Sequence, residues 1–598
     1  MKKYVFVIII LIWFCNCTNK HENQIRLPGP WFFKIDQGKT GIQQKWFQTK
    51  QSLAELKTVE QLGFWESFAG SEYDGWGWYF IDFPYSGKFK KAALSFESVD
   101  DNAIVWLNGR KAGEHQGANN AFKIDVTPFI KTGVNRLTVL IEDTGGFGGL
   151  TGAIELVPFE ATEDLLKGKY FGAETPVHPP LAANAVIYEL NTRQFSPEGT
   201  FKAIEPRIQE LKELGVTIVW FMPIHPIGEK HRKGSLGSYY AVKDYYGINP
   251  EFGNLDDFKR LVQLIQEAGM YVIIDLVANH TAWDNPLIEQ HPDWYTHDST
   301  GKIITPVADW FDVADLNYDS AELQDYMIDM MKYWVNEVGI DGYRCDVAGM
   351  VPTGFWIKVR KELDAIKAMF MLAEAETPEL NAFGFDMTYA GAMHRLFNDI
   401  AQGKKSPKKI DSYLRFEYYN YPNGSKRMRF TSNHDENSWN NSAITRMGQE
   451  AAKAGAVLTC TLPGTPLIYC GQEVGNEKAL DFFERDPIEW HENEFRRFYQ
   501  KLFFTYRRHP ALYQGRMEKL VSENDNRIYA FVRKQGDDEV VVIVNFSAEP
   551  FEGNINFKSV NGNFFEIFSN EKLNFSGVDK FVKLEAWGYR LYCCLKNE

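Results

Sequence analysis

The chain is poor in the features that carry several common functions. It has 7 cysteines in 598 residues, and their irregular spacing matches neither a disulfide scaffold nor a zinc site. It has no excess of positive charge: 65 Lys and Arg face 79 Asp and Glu, a net charge of −14. Such a chain is a poor phosphate binder, which argues against a nucleic-acid partner. No Gly-rich phosphate loop follows a first strand, and there is neither a low-complexity tract nor a long like-charge run. No apolar stretch reaches the roughly 20 residues of a membrane-spanning helix. What is plentiful is apolar and aromatic material: 16 Trp, 28 Tyr and 44 Phe supply a large core and leave some rings to stack on flat faces such as sugars.

At the N-terminus, Lys2 and Lys3 precede the apolar run Tyr4–Phe14 and then Cys15-Asn16-Cys17. The run is too short to cross a bilayer and reads as an export signal. Residues 1–17 resemble a bacterial lipoprotein signal, with Cys17 as the acylated residue, although neither cysteine is preceded by a good small-residue box. The resemblance implies an exported protein tethered by lipid to a bacterial membrane, on its periplasmic or cell-surface side. Five cysteines then remain: Cys345, Cys460, Cys470, Cys593 and Cys594. Five cannot all pair, and they read as buried free thiols. Cys593 and Cys594 point to opposite faces if they share a strand.

Residues 25–160 read as all-β, with strands such as Ala92–Glu97, Ala103–Leu107 and Arg136–Ile141 and a hairpin signal at Asn108-Gly109. The segment from Asp101 to Asp143 resembles the sugar-binding β-sandwich that accompanies family 2 glycoside hydrolases. That resemblance implies a jelly-roll of the galactose-binding type, without implying that sugar is bound. A Pro-rich joint at 175–180 follows, and the pattern changes. "FKAIEPRIQELKELG", "NLDDFKRLVQLIQEAG" and "AELQDYMIDMMKYWVNEVG" each read as a helix ending in Gly and running into an apolar strand. In the second, Asn254 is placed to cap the helix, with Asp257 in its first turn. Repetition of this unit means parallel βα architecture.

Eight strands follow in order: Val186–Leu190, Thr217–Met222, Tyr271–Leu276, Gly342–Val347, Met369–Ala373, Phe385–Thr388, Met428–Thr431 and Leu467–Tyr469. The expected fold is multidomain α/β. A central (β/α)8 TIM barrel over 181–512, with a short insertion at 281–319, is flanked by the N-terminal jelly-roll and a C-terminal β-sandwich over 513–598.

Ionisable groups gather where these strands end: Asp275 and then His280 after the third, Arg344 and Asp346 on the fourth, Glu374 after the fifth, and His434 and Asp435 after the seventh. In a barrel these ends converge on one rim. Charges buried together are costly unless they are paired or used. Arg344 and Asp346 are two apart on a strand and point the same way, so the guanidinium should keep the carboxylate ionised, as a nucleophile requires. Glu374 closes the apolar run "MFMLAE", a setting that raises a carboxyl pKa and suits a proton donor. Two such carboxyls are the apparatus of retaining glycoside hydrolysis. Asp435 supplies a third, able to stabilise an oxocarbenium-like transition state, and His280 and His434 could bond sugar hydroxyls. Glu376 shares Glu374's parity and is a rival acid.

The chain resembles glycoside hydrolase family 13, the α-amylase family. "DLVANH" (Asp275–His280), "GYRCD" (Gly342–Asp346), "MLAEA" around Glu374 and "FTSNHDEN" around Asp435 match its four signatures. "MPIHPIG", "SYYAVKDYYGINPEFG" and "LPGTPLIYCGQEVG" fit in the family's order. The resemblance implies Asp346 as nucleophile, Glu374 as acid/base and Asp435 as transition-state stabiliser. It implies Arg344, His280 and His434 as ligands of the reacting sugar and Tyr240 stacking on it, and it favours Glu374 over Glu376.

There are departures. Val347-Ala348-Gly349-Met350 replaces the family's continuation to Lys-His near the leaving group, and Ala241 stands where many members have Asp. Asn279 and Asp315 match positions where many relatives bind calcium, which leaves calcium open, although two oxygens are too few to establish a site. No cofactor is required by this chemistry. The leading reading is a hydrolase of α-glucosidic bonds in starch-like glucans or maltooligosaccharides. An α-glucan transferase on the same carboxylates and a non-catalytic glycan-binding lipoprotein are the alternatives.

Overall fold

A computed structural model describes residues 24–27, 29–48, 52–53, 55–65, 75–115, 121–143, 148–159 and 167–595. The export signal and Cys17 lie outside the described residues. Among those described, no helix is long and apolar enough to cross a membrane. The chain forms two compact units that meet in sequence at Lys169 and Tyr170.

The first unit is a pair of antiparallel sheets. One has six strands, in the order Lys57–Val59, Trp31–Ile35, Trp76–Tyr85, Gly133–Glu142, Asn102–Leu107 and Arg110–His115. The other has four: Ile25–Arg26, Ile154–Pro158, Ala92–Phe96 and Phe122–Asp125. Alternate residues such as Tyr79, Ile81 and Phe83 meet Leu94, Phe96 and Leu156 in the core. Asn108 and Gly109 both take positive φ (54° and 79°), the geometry a two-residue hairpin turn demands.

The second unit contains a closed parallel barrel of eight strands. They are β1 (Ile187–Leu190), β2 (Ile218–Phe221), β3 (Tyr271–Leu276), β4 (Gly342–Cys345), β5 (Phe370–Ala373), β6 (Met387–Tyr389), β7 (Lys426–Arg429) and β8 (Thr465–Tyr469). The sixth strand starts two residues later than its sequence suggests, and the seventh is shifted two residues toward the N-terminus. The Pro-rich segment is no free joint: it belongs to the second unit, where Arg360 donates to the Val177 carbonyl (3.1 Å) and His178 contacts Asp386 (2.9 Å).

Strand parity sorts the side chains. Val186, Tyr188, Leu190, Val219 and Ile274 face the helices, whereas Ile187, Ile218, Trp220, Ile273, Leu372 and Met428 fill the barrel. The helix Leu255–Glu267 starts in a reciprocal capping box between Asn254 and Asp257. Pro206 breaks the first predicted helix into Phe201–Ile204 and Ile208–Leu214, with a 3-10 turn between. Beyond the barrel, a six-stranded sheet spanning Arg516–Cys594 is accompanied by the pair Phe551–Ile555 and Lys580–Leu584. The five described cysteines are all free thiols, four of them buried.

Gly342 opens β4 where β5 passes close by: a Cβ there would sit 2.1 Å from the Phe370 carbonyl oxygen. Gly342→Ala should therefore destabilise the barrel by about 2 kcal/mol or more, as overpacking a tight core does. Urea denaturation followed by tryptophan fluorescence will read this as a lower midpoint for the barrel transition. An unchanged midpoint would show that the two strands can part at no cost.

Candidate active site

β3, β4 and β5 are neighbours, paired Asp275 to Arg344 and Cys345 to Ala373. The ladder runs on past the strand ends: Asp346 N–H donates to the Leu276 carbonyl (2.9 Å) and Glu374 N–H to that of Cys345 (3.0 Å). Asp346 and Glu374 thus occupy corresponding places on strands roughly 4.8 Å apart. Both keep the inward parity of the barrel-filling residues.

Arg344, wholly buried, is the hub. Its NH1 donates to Asp275 Oδ1 (2.8 Å) and Asp346 Oδ1 (2.9 Å), its Nε to the Tyr389 hydroxyl (3.1 Å), and its NH2 lies 2.9 Å from Glu374 Oε1. Its central carbon lies 5.1, 5.6 and 5.7 Å from the ring centres of Trp220, Tyr240 and Tyr389. Two expectations are corrected here. Glu374 does not sit in an apolar setting, because its Oε1 faces Arg344 and its Oε2 accepts the Val347 N–H (2.9 Å). Arg344 does not hold Asp346 down unopposed. Burial pushes the Asp346 carboxyl well above its ordinary range, Arg344 pulls it back, and Glu374 and Asp275 add to the rise. Burial likewise lifts Asp275 to about 6 against the pull of Arg344. Burial thus raises the carboxyls of both Asp275 and Asp346, and Arg344 is the cation that opposes the rise in each.

Val347, next after Asp346, has φ 36° and ψ 44°. This left-handed conformation is rare for a β-branched residue, and here it aims the N–H at Glu374.

A second chain of contacts meets the first. His434 and Asp435 open the helix His434–Asn440, whose N-cap Asn433 accepts from the Glu436 N–H (2.7 Å). His434 Nδ1 bonds the buried carboxylate of Glu189 on β1, and its Nε2–H donates to the Tyr240 hydroxyl (2.8 Å). That hydroxyl donates on to Asp275 Oδ2 (3.1 Å). Asp435 Oδ2 lies 3.4 Å from His434 Nε2 and is the most exposed of the carboxylates. Burial alone would lower the His434 pKa, but Asp435 and Glu189 raise it from 6.5 to about 9. His280 behaves oppositely: buried beside Trp310, with ring centroids 5.4 Å apart, it is pushed down to about 3 and stays neutral. The pair thus offers one imidazolium and one neutral imidazole.

All seven residues singled out by sequence meet here. Asp346, Glu374, Asp435, Tyr240, His280 and His434 line one cleft of about 220 Å3, with Arg344 beneath. Glu376 turns away, accepting the Ala392 N–H (2.8 Å) and pairing with Arg427 (3.2 Å). Glu189, Trp220, Tyr389 and the rim residues Trp310, Trp439, Phe482 and Phe483 were not foreseen. Glu189 alone had left a sign, a lone acid inside the apolar run "VIYEL". Asn279 gives its carbonyl to the Leu316 N–H (3.0 Å), and Asp315 is the one carboxylate near it on the paired strand. Among the described residues no three His, Cys, Asp or Glu side chains gather as metal ligands, and Asn279 and Asp315 alone are too few oxygens to establish a calcium site, so no step is routed through one.

With this geometry in place, comparison with known proteins decides the family. The family model described as "Alpha amylase, catalytic domain" matches residues 189–540, more than half of the chain. The chain belongs to the α-amylase family. Models for the sugar-binding domain of family 2 glycosyl hydrolases and for the maltogenic amylase C-terminal domain match residues 67–145 and 517–591. A crystal structure of a maltogenic α-amylase from Thermotoga neapolitana is similar at 31% identity and a TM-score of 0.65, over 69% of this chain and 99% of that one. An α-amylase of Haloarcula japonica is 29% identical across 65% of this chain. The match spans 60% of that relative's length. An α-amylase of Dictyoglomus thermophilum is 26% identical across 82% of this chain and 88% of its own. In this member of the α-amylase family the barrel is preceded by a β-sandwich like that of family 2 enzymes.

The His434 imidazolium persists through neutral pH and is lost as pH rises through about 9. Glu189→Gln removes one of the two carboxylates that raise it. The alkaline limb of kcat/KM on a maltooligosaccharide should then move toward neutral pH, with the acid limb little changed. An alkaline limb that stays in place would show that another group controls it.

Proposed function

We propose that the protein is a retaining hydrolase of α-glucosidic bonds in starch-like glucans or maltooligosaccharides. The observation that carries this reading is the placement of Asp346 and Glu374 at matching positions on adjacent strands, both in contact with Arg344. Neighbouring strands give a spacing near the roughly 5–5.5 Å of a retaining pair.

In this mechanism Asp346 attacks the anomeric carbon while Glu374 gives its proton to the departing glycosidic oxygen. A covalent glycosyl-enzyme forms, and the leaving chain departs with the proton. Water then attacks the same carbon as Glu374 takes a proton from it, and Asp346 is released as carboxylate. Asp435 faces the cleft, where its charge favours the oxocarbenium-like transition states. The His434 imidazolium and the neutral His280 fix the hydroxyls of the reacting sugar, and Tyr240 supports its ring face. Of the altered signature, Val347 lines the cleft beside Asp346 and Glu374, and Met350 does not. The reading needs no cofactor. Its setting, on the export signal of residues 1–17, is a membrane surface reached through lipid on Cys17.

Asp346→Asn should lower kcat by about 10^4-fold or more while glucan binding, measured by calorimetry, persists. Turnover near the wild-type rate would sink the nucleophile assignment. Products from maltohexaose decide the acceptor: shorter chains with new reducing ends mean hydrolysis, and longer chains with few new ends mean transfer. Turnover in excess EDTA should match that in plain buffer; a loss restored by calcium would place that ion in the mechanism after all.

A further inference from the structure

Three rim loops around the cleft are tied to one another. The loop after β2 is bound to the loop after β8: Ser235 N–H donates to Glu484 Oε1 (2.6 Å) and Leu236 N–H to the Phe483 carbonyl (3.1 Å). The same β2 loop is bound to the loop after β3 through Lys233. Its ammonium lies 3.2 Å from Asp312 Oδ1, donates to the Asp309 carbonyl (2.7 Å) and sits 4.7 Å from the ring centre of Phe311. Both ends of this pair are largely withdrawn from solvent, with side-chain exposures of 19% and 6%, and both line the cleft. A pair so desolvated and so multiply bonded is stiffer than an ordinary surface ion pair.

Its position follows from the barrel. β8, β1, β2 and β3 are consecutive around the ring, and β5, which carries Glu374, lies across from them. The acid protonates the departing oxygen, so the leaving-group chain extends on its side of the cleft. The tied loops stand on the other side, behind the reacting sugar. Phe482 stacks on Tyr240 with ring centres 6.2 Å apart, and Trp310 rests against His280. These residues line the side of the cleft toward which the non-reducing end would point in a chain whose leaving group lies at Glu374.

We propose that Lys233 and Asp312 form a bar across the glycone side of the cleft, so that the enzyme cleaves a few residues from the non-reducing end and does not accept the interior of a long glucan. This rests on the hydrolase reading above and adds to it the direction and the mode of attack. Lys233 is on this view a specificity-determining residue: it touches no reacting atom and decides which chain segments reach them.

The test uses the full-length protein with two nitrophenyl maltoheptaosides, one with a free non-reducing end and one with that end blocked by a 4,6-acetal. Wild type should cleave the blocked substrate at least about tenfold more slowly in kcat/KM, a difference of a size that pocket sterics can produce. Lys233→Ala and Asp312→Asn should each narrow that gap. The gap is a ratio within one variant, so a smaller folded fraction cancels from it. The proposal is overturned if wild type cleaves both substrates alike, or if both variants leave the gap unchanged. A wild type inert even toward the free substrate would reject the hydrolase reading, and the bar with it, and that outcome is visible in the free arm alone.

Discussion

The site depends on one buried cation. Arg344 has no contact with solvent, and its cost of desolvation is met by the three carboxyls, the phenol and the aromatic rings around it. Removing one member of such a buried set costs about 3–5 kcal/mol, because it leaves an uncompensated charge. The requirement runs both ways. The carboxyls of Asp275 and Asp346, pushed up by burial, remain usable as charges because the guanidinium is there to oppose the push. The chemistry of the cleft and the integrity of the barrel floor are in this sense the same interaction.

The barrel was legible because its signal is local and repeated. A helix that ends in Gly and runs into an apolar strand needs no tertiary knowledge, and Gly215, Gly269 and Gly339 all adopt the left-handed φ that ends a helix. Errors arose where a tertiary partner overrode local character. β7 begins at Lys426-Arg427, which reads as loop until Arg427 is seen bonded to Glu417 and Glu376 inside the structure. β6 starts after Asp386, because that residue is committed to His178 and Arg360. Motif matching brought the seven site residues together, but it could not give their charge states. The two histidines look alike in sequence, and only their neighbours make one a cation and leave the other neutral. Glu374 was assigned an apolar surrounding because a run of apolar neighbours along one strand says nothing of the strand beside it.

The rim illustrates the same limit in loops. Trp310, Trp439, Phe482 and Phe483 come from three segments far apart in sequence, and no periodicity links them. Trp439 meets Phe482 and Phe483 because β7 and β8 are neighbours, and the closure of β8 on β1 carries that group round toward the side where Trp310 lies, after β3. A closed sheet makes neighbours of its first and last loops, and the architecture of the cleft wall follows from that closure rather than from any short motif.

The left-handed turn at Val347 bears on the resting enzyme. A β-branched residue keeps that conformation only where its surroundings hold it there, at a cost on the order of 1–3 kcal/mol. What it secures is an amide on one oxygen of Glu374 while Arg344 faces the other. Both ends of the proton donor are thus engaged before any sugar arrives. Anchored at both oxygens, the carboxyl cannot turn freely, so protein groups and not the substrate set the direction in which the donor faces.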